Sequence, residues 1–202
     1  MRVKPCLRLK PVYDLEYTFT FHSPGIEPWI LGLLKQVKPE SVLDVGCGLG
    51  FWGLVLKGYL GASRIVGIDV DRNKVEFAKR LGVYDEVYVS DIRAFSYAGA
   101  FDAIIAIEPI HGVLDPGLLR RLEGLVKQGG IIVMALPGVQ SADQLVKAGY
   151  VVFRYLLRGF VMVRVDRPEV CTAPGRIWRA LAPLIKALHP ALKLGGLLKR
   201  GI

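Results

Sequence analysis

Residues 42–53, VLDVGCGLGFWG, decide how the rest of the chain is read. Three apolar residues enclose an acid, Asp44, and four glycines follow within eight positions: Gly46, Gly48, Gly50 and Gly53. An apolar, β-branched run that ends at glycine reads as a buried strand, here 41–45. Glycines directly after such a strand let backbone approach a ligand with no Cβ in the way.

Working outward, strand and helix alternate. The spacing predicts a helix over 51–59, a strand over 64–69 (RIVGID) and a helix over 72–81 (RNKVEFAKRL). Asp71 is placed to cap that helix and Gly82 to end it. Further strands fall at 86–89, at 101–107 (FDAIIAI) and at 130–136 (GIIVMAL), with a helix over 115–125 opened by Asp-Pro. The run at 101–107 is almost wholly apolar and so belongs near the centre of a parallel sheet. Alternation of this kind predicts a doubly wound α/β sheet. Beyond a helix over 141–148, the runs 150–155 and 160–165 have only 156–159 between them. They read as a β-hairpin, an antiparallel edge on a mostly parallel sheet of seven strands.

A chain of 202 residues has room for one such domain with a real core. No apolar run reaches the ~20 residues that span a bilayer, and the basic N-terminus lacks the apolar stretch of a signal peptide. Cys6, Cys47 and Cys171 match no metal-ligand spacing, so no metal is expected. A sparse, odd set of cysteines fits a reducing cytoplasm. The net charge of +9 is uneven. Residues 41–166 carry fourteen Lys/Arg against thirteen Asp/Glu, whereas 167–202 carry seven against one. A basic nucleic-acid face could still be assembled from the near-neutral central domain, but the count gives no hint of one.

Ligands of doubly wound sheets bind at the carboxyl ends of the strands, where the glycine loop lies. Two ligands suit it. Gly48, Gly50 and Gly53 match G-x-G-x-x-G, and Asp69 lies 21 residues after Gly48, where a dinucleotide's ribose-binding acid belongs. The glycines begin at Gly46, however, two residues before that triplet. Asp44 ends the strand, and a carboxylate there repels a pyrophosphate but suits a cation. S-adenosylmethionine carries an ammonium and a sulfonium and no phosphate.

Over about residues 38–166 the chain resembles the class I S-adenosylmethionine-dependent methyltransferases, in four motifs in order. VLDVGCGLG resembles the first, which implies that Asp44, Gly46, Gly48 and Gly50 hold the methionine part of the cofactor. Cys47, within it, is read as a small residue of the cofactor loop and not a nucleophile. VGIDVDRNKVEFAKR resembles the second, which implies that Asp69 takes both ribose hydroxyls and that Val70 lies against the adenine. VYVSDIRAF resembles the third, with Asp91 on the adenine amino group and Ile92 lining its pocket. FDAIIAIEPI resembles the fourth, facing the transferred methyl. The structural alternatives are that Asp44 caps the next helix and that Asp69 and Asp91 are turn residues.

Methyl transfer requires mainly that the acceptor be held against the methyl with water excluded, and a hydroxyl acceptor also gains from a base. Glu108 and His111, in IEPIHGV, are the candidates, with Glu108 also able to line the cofactor pocket. Pro109 between them, and a His one place early, depart from the pattern of small-molecule members. His22 could reach the site if residues 1–37 fold over the cofactor as a lid. No Asn/Asp-Pro-Pro-Tyr/Phe follows the fourth strand, as it does in nucleic-acid aminomethylating enzymes, and no Pro-Cys pair follows it either. GLGFWG resembles a variant found with surface-polysaccharide enzymes. These points favour a small-molecule or glycan-type acceptor, with an RNA methyltransferase or a non-catalytic cofactor-binding domain as alternatives.

The tail, 167–202, stands apart. Ile177, Leu181, Leu184, Ile185 and Leu188 fall on one helical face, with Arg176, Arg179 and Lys186 opposite and Pro183 and Pro190 as breaks. Such a face packs on the parent domain or on a second subunit, lies on a membrane surface with Trp178 among its apolar residues, or binds RNA.

Overall fold

The computed structural model describes residues 27–107, 116–137, 151–155 and 159–165. In chain order these form α1 (Glu27–Val37), β1 (Ser41–Val45), α2 (Phe51–Leu54) running into a π-helical turn (Val55–Tyr59), β2 (Arg64–Asp69), α3 (Arg72–Leu81) and β3 (Glu86–Val89). They continue as β4 (Phe101–Ile107), α4 (Pro116–Leu125), β5 (Val126–Pro137), β6 (Val151–Tyr155) and β7 (Gly159–Val165). The parallel part of the sheet runs β3-β2-β1-β4-β5; β7 lies antiparallel to β5, and β6 antiparallel to β7.

Side chains alternate across each strand and so divide the core in two. Val42, Ile65, Ala103, Ile105, Ile131 and Val133 face α1 and α2, where Ile30, Leu31, Leu34, Trp52, Val55 and Leu56 meet them. Leu43, Val66, Ile68, Ile104, Ile132 and Met134 face the other way, against Leu118 and Leu122 of α4 and against Ile92 and Phe95. Every residue of β1 is buried, which is why it reads as a continuous apolar run broken only by Asp44. β1 pairs with β2 on one side and with β4 on the other. The order of connection reverses there, and ligands of doubly wound sheets bind at the carboxyl ends of strands at such a switch point.

Two elements differ from the sequence reading. The helix over 51–59 is α-helical only to Leu54; the next turn is closed by bonds from Leu60 N to Val55 O and from Ala62 N to Leu56 O. Hydrophobic periodicity reports which face is buried and not which carbonyl each amide chooses. β5 begins at Val126, four residues before the predicted start at 130. Its register against β4 shifts between Phe101 and Ala103, and Gly129 has a positive φ of 76°. Lys-Gln-Gly-Gly thus reads as a turn but forms a bulge within a longer strand. A Cβ on Gly130 would stand 2.8 Å from the Asp102 carbonyl oxygen, so the close approach needs glycine. α4 is described from Pro116, leaving the proposed Asp115 cap outside the described residues, as is the predicted helix over 141–148.

Candidate functional site

The carboxyl end of the sheet is built around the glycine loop. Gly46, Gly48 and Gly50 have φ values of 74°, 54° and 93°, a conformation that side-chain-bearing residues rarely adopt. The amides of Gly46 and Cys47 both donate to the Ile68 carbonyl, at 2.8 and 2.9 Å, and so tie the loop to β2. Among the described residues, a Cβ on Gly48 would find nothing nearer than the Gly46 carbonyl oxygen at 4.0 Å.

Asp69, at the end of β2, is buried and accepts two backbone amides. Gly48 N donates to its Oδ2 and Asp71 N to its Oδ1, each at 2.9 Å. The carboxylate therefore bridges the glycine loop and the start of α3. Val70 beside it is 69% exposed, an apolar side chain left facing solvent at the strand end.

Asp44 lies deeper, at 1% exposure. Tyr84 Oη donates to its Oδ2 at 2.7 Å. Burial pushes its carboxyl up to about 7, the Tyr84 hydrogen bond opposes that rise, and the Asp69 charge adds to it. Asp44 does not cap α2: the N-cap is Gly50, without a side-chain hydrogen bond. Among the described residues neither Asp44 nor Asp69 has a lysine or arginine against it. Two carboxylates thus stand near the carboxyl ends of adjacent strands with no cation between them among the described residues.

The remaining candidates are distributed as follows. Asp91 is half-exposed; its Oδ1 accepts from Arg93 N at 2.7 Å, closing a tight turn, and Arg93 Nη1 stands 3.8 Å from its Oδ2. Ile92 is buried beneath it. Cys47 is a buried free thiol, pushed well above the usual range by burial and by the charges of Asp44 and Asp69. Such a thiol is a small packing residue and not a nucleophile. Glu108 and His111 follow β4 directly but lie outside the described residues, as do His22, Cys6, Cys171 and the whole tail 167–202. Among the described residues there is no His/Cys/Asp/Glu group fit to hold a metal, and no helix long and apolar enough to cross a membrane.

Tyr84 is the residue that sequence reasoning passed over. It stands between α3 and β3 in no motif, and its hydroxyl also accepts from Gly53 N at 3.1 Å. Its partner carried the only available signal: a buried acid with no cation nearby in sequence needs a donor from elsewhere.

Residues 42–130 match the model of a methyltransferase domain family. The ribosomal protein L11 methyltransferase of Methylobacillus flagellatus is 34% identical over 118 residues, covering 55% of this chain and 38% of that protein. The ubiquinone biosynthesis O-methyltransferase of Methylocella silvestris is 36% identical over 107 residues, covering 50% of this chain and 41% of that protein. The chain thus spans about four-tenths of the length of these curated relatives. The N-methyltransferase NodS of Bradyrhizobium japonicum shares the fold at a TM-score of 0.54 and 15% identity, over 70% of this chain and 97% of that one. Together with the loop and its acids, these likenesses identify residues 42–130 as a methyltransferase domain of the S-adenosylmethionine-dependent kind.

Proposed function

We propose that this protein transfers the methyl group of S-adenosylmethionine to a small-molecule or glycan-type acceptor. The observation that carries the reading is the pair Asp44 and Asp69 near the ends of adjacent strands, without a lysine or arginine against them among the described residues. A pyrophosphate would add negative charge to that pair; an ammonium and a sulfonium would balance it.

Asp44 would answer the ammonium, with Gly46, Cys47, Gly48 and Gly50 forming the loop around the methionine part. Asp69 would take the ribose hydroxyls, its two amide bonds holding it in place. Val70 and Ile92 would flank the adenine, and Asp91 would accept from its amino group. When bound, the cofactor supplies an electrophilic methyl on sulfur. The chain's own part is to orient the acceptor, exclude water and, for a hydroxyl acceptor, remove its proton. Glu108, which would also line the cofactor pocket, and His111 are the candidates for that base. We read the two antiparallel strands β6 and β7 as the terminal hairpin of the seven-stranded class I sheet, the N-terminal segment ahead of the core helix α1 as a lid, and 167–202 as an accessory tail that packs on a neighbour or a membrane surface.

The test has two arms. Asp69→Ala should weaken S-adenosylmethionine binding by about 10- to 150-fold in calorimetry, the cost of a lost charge-assisted contact of roughly 1.5–3 kcal/mol. Unchanged affinity, or a parent protein that prefers NAD, overturns the cofactor assignment. Radiolabelled methyl transfer to fractionated small molecules, glycan, lipid, RNA and protein then identifies the acceptor. Label in RNA or protein alone would overturn the acceptor class while leaving the cofactor reading intact.

A further inference from the structure

The glycines of the motif serve a second partner besides the cofactor. A Cβ on Gly53 would stand 2.5 Å from the Tyr84 ring, one on Gly50 3.3 Å from it and one on Gly67 3.0 Å from it. Three glycines, from the loop, α2 and β2, thus form a socket that this ring fills. The socket is pinned from both chain directions. Gly82, with φ 67°, ends α3 two residues before Tyr84. One residue after it, Asp85 N donates to Ile65 O at 2.9 Å and Asp85 Oδ2 accepts from Ile65 N at 2.6 Å. From the floor of the socket the hydroxyl donates to Asp44 and accepts from Gly53 N, so one atom joins the end of β1 to the first turns of α2.

We propose that Tyr84 is a positioning residue for cofactor binding, holding the Asp44 carboxylate and the start of α2 in one hydrogen-bonded unit and favouring the ionised Asp44 that a cationic ligand needs. This rests on the S-adenosylmethionine reading above. The groups that face Asp44 among the described residues are Tyr84 from the α3–β3 connection, Asp69 from β2 and Cys47 from the loop. α2 offers none that titrates. Of these, only Tyr84 favours the charged carboxylate; burial and Asp69 oppose it. The hydroxyl therefore opposes the upward push of burial on Asp44, and cofactor affinity should weaken as Asp44 takes up its proton.

Tyr84→Phe in the full chain keeps the ring in its socket and removes the hydroxyl alone. Three measurements are made on wild type and variant: the Asp44 carboxyl titration by carbon-13 NMR without ligand, S-adenosylmethionine affinity by calorimetry from pH 5.5 to 9, and thermal unfolding. The ligand's own amino group titrates alike in both series, so the affinity ratio isolates the protein. The Asp44 midpoint should move upward in the variant. Its affinity should be roughly five- to tenfold weaker near pH 7, with the ratio shrinking as pH rises. A variant that is merely less stable, with an unmoved Asp44 midpoint and a pH-independent ratio, overturns the proposal. If Tyr84→Phe does not fold, uniform 3-fluorotyrosine labelling keeps the shape and strengthens the donor. The Asp44 midpoint must then move downward, and a fixed midpoint overturns the proposal equally. Wild-type protein that binds no S-adenosylmethionine at any pH overturns the cofactor reading itself, and this inference with it, whatever Asp44 does.

Discussion

The two ends of the sheet treat a carboxylate in opposite ways. At the amino end, Asp102 of β4 is enclosed by partners. Lys127 Nζ approaches its Oδ1 at 2.9 Å, while Ser41 donates to its Oδ2 from the backbone amide at 2.8 Å and from the hydroxyl at 2.7 Å. Partial burial alone would raise its pKa, but the Lys127 and Ser41 bonds together hold the carboxyl below its ordinary value. At the carboxyl end, Asp44 of β1 is more deeply buried and receives a neutral hydroxyl and no cation among the described residues, and its carboxyl is pushed up to about 7. An acid that the protein neutralises from its own side chains is a fastening between strands. An acid buried without a cation costs stability, and such a cost is tolerable where a ligand brings the missing charge.

The largest expected effect breaks this comparison most directly. Asp44→Asn should weaken S-adenosylmethionine binding by about 10- to 150-fold, whereas Asp102→Asn should leave it within error. Equal losses in calorimetry would mean that the two acids do not have separate jobs.

Packing comes next. Gly53→Ala should destabilise the fold by roughly 1–3 kcal/mol in urea unfolding, because the added methyl overlaps the Tyr84 ring. Full stability would show that the socket is looser than its distances imply.

Asp102→Ala should cost about 1 kcal/mol, a modest figure because both partners of the ion pair are partly exposed. Its folded carboxyl sits below the unfolded value of roughly 4, so the stabilisation is present above that pH and fades as pH falls through the folded value. Asp44 has the opposite sign. Folded chains keep its proton up to about 7 while unfolded chains release theirs near ~4, so stability declines as pH rises between the two. Asp44→Asn should accordingly raise the melting temperature at pH 8 and confer little at pH 4, which paired thermal scans would check. A gain of equal size at both pH values would remove the buried charge as its cause.

The smallest effect is a control. Gly58, in the π-helical turn, has open space where a Cβ would go. Gly58→Ala should change stability by no more than about 0.5–1 kcal/mol, in the stabilising direction. Loss there would show that the turn itself, and not a clash, resists substitution.

Local pattern was sufficient wherever one residue's neighbours along the chain settle its role. β1, β2 and β4 fall at the predicted bounds because each is a short, mostly buried apolar run ended by polar or glycine positions, and β3, at the sheet edge and not buried, keeps its bounds through its β-branched and aromatic residues. Asp71 caps α3 through amides two and three residues ahead, an interaction the sequence contains entire. Asp44 and Asp69 were legible for the same reason: each stands at or next to the end of a strand, and the glycine loop follows the first. What the sequence could not supply was any partner reached across the fold. The Asp69 bond to Gly48 N, the Tyr84 bridge from Asp44 to Gly53 and the Asp102–Lys127–Ser41 fastening join residues 21 to 86 positions apart. Glycines at 50, 53 and 67 have no reason to coincide with a tyrosine at 84 until β1, β2 and α2 are packed together. The strands and the cofactor loop are therefore properties of the chain. The ionisation state of Asp44, and the tyrosine that governs it, arise only in tertiary structure, because burial and a distant hydroxyl set them jointly.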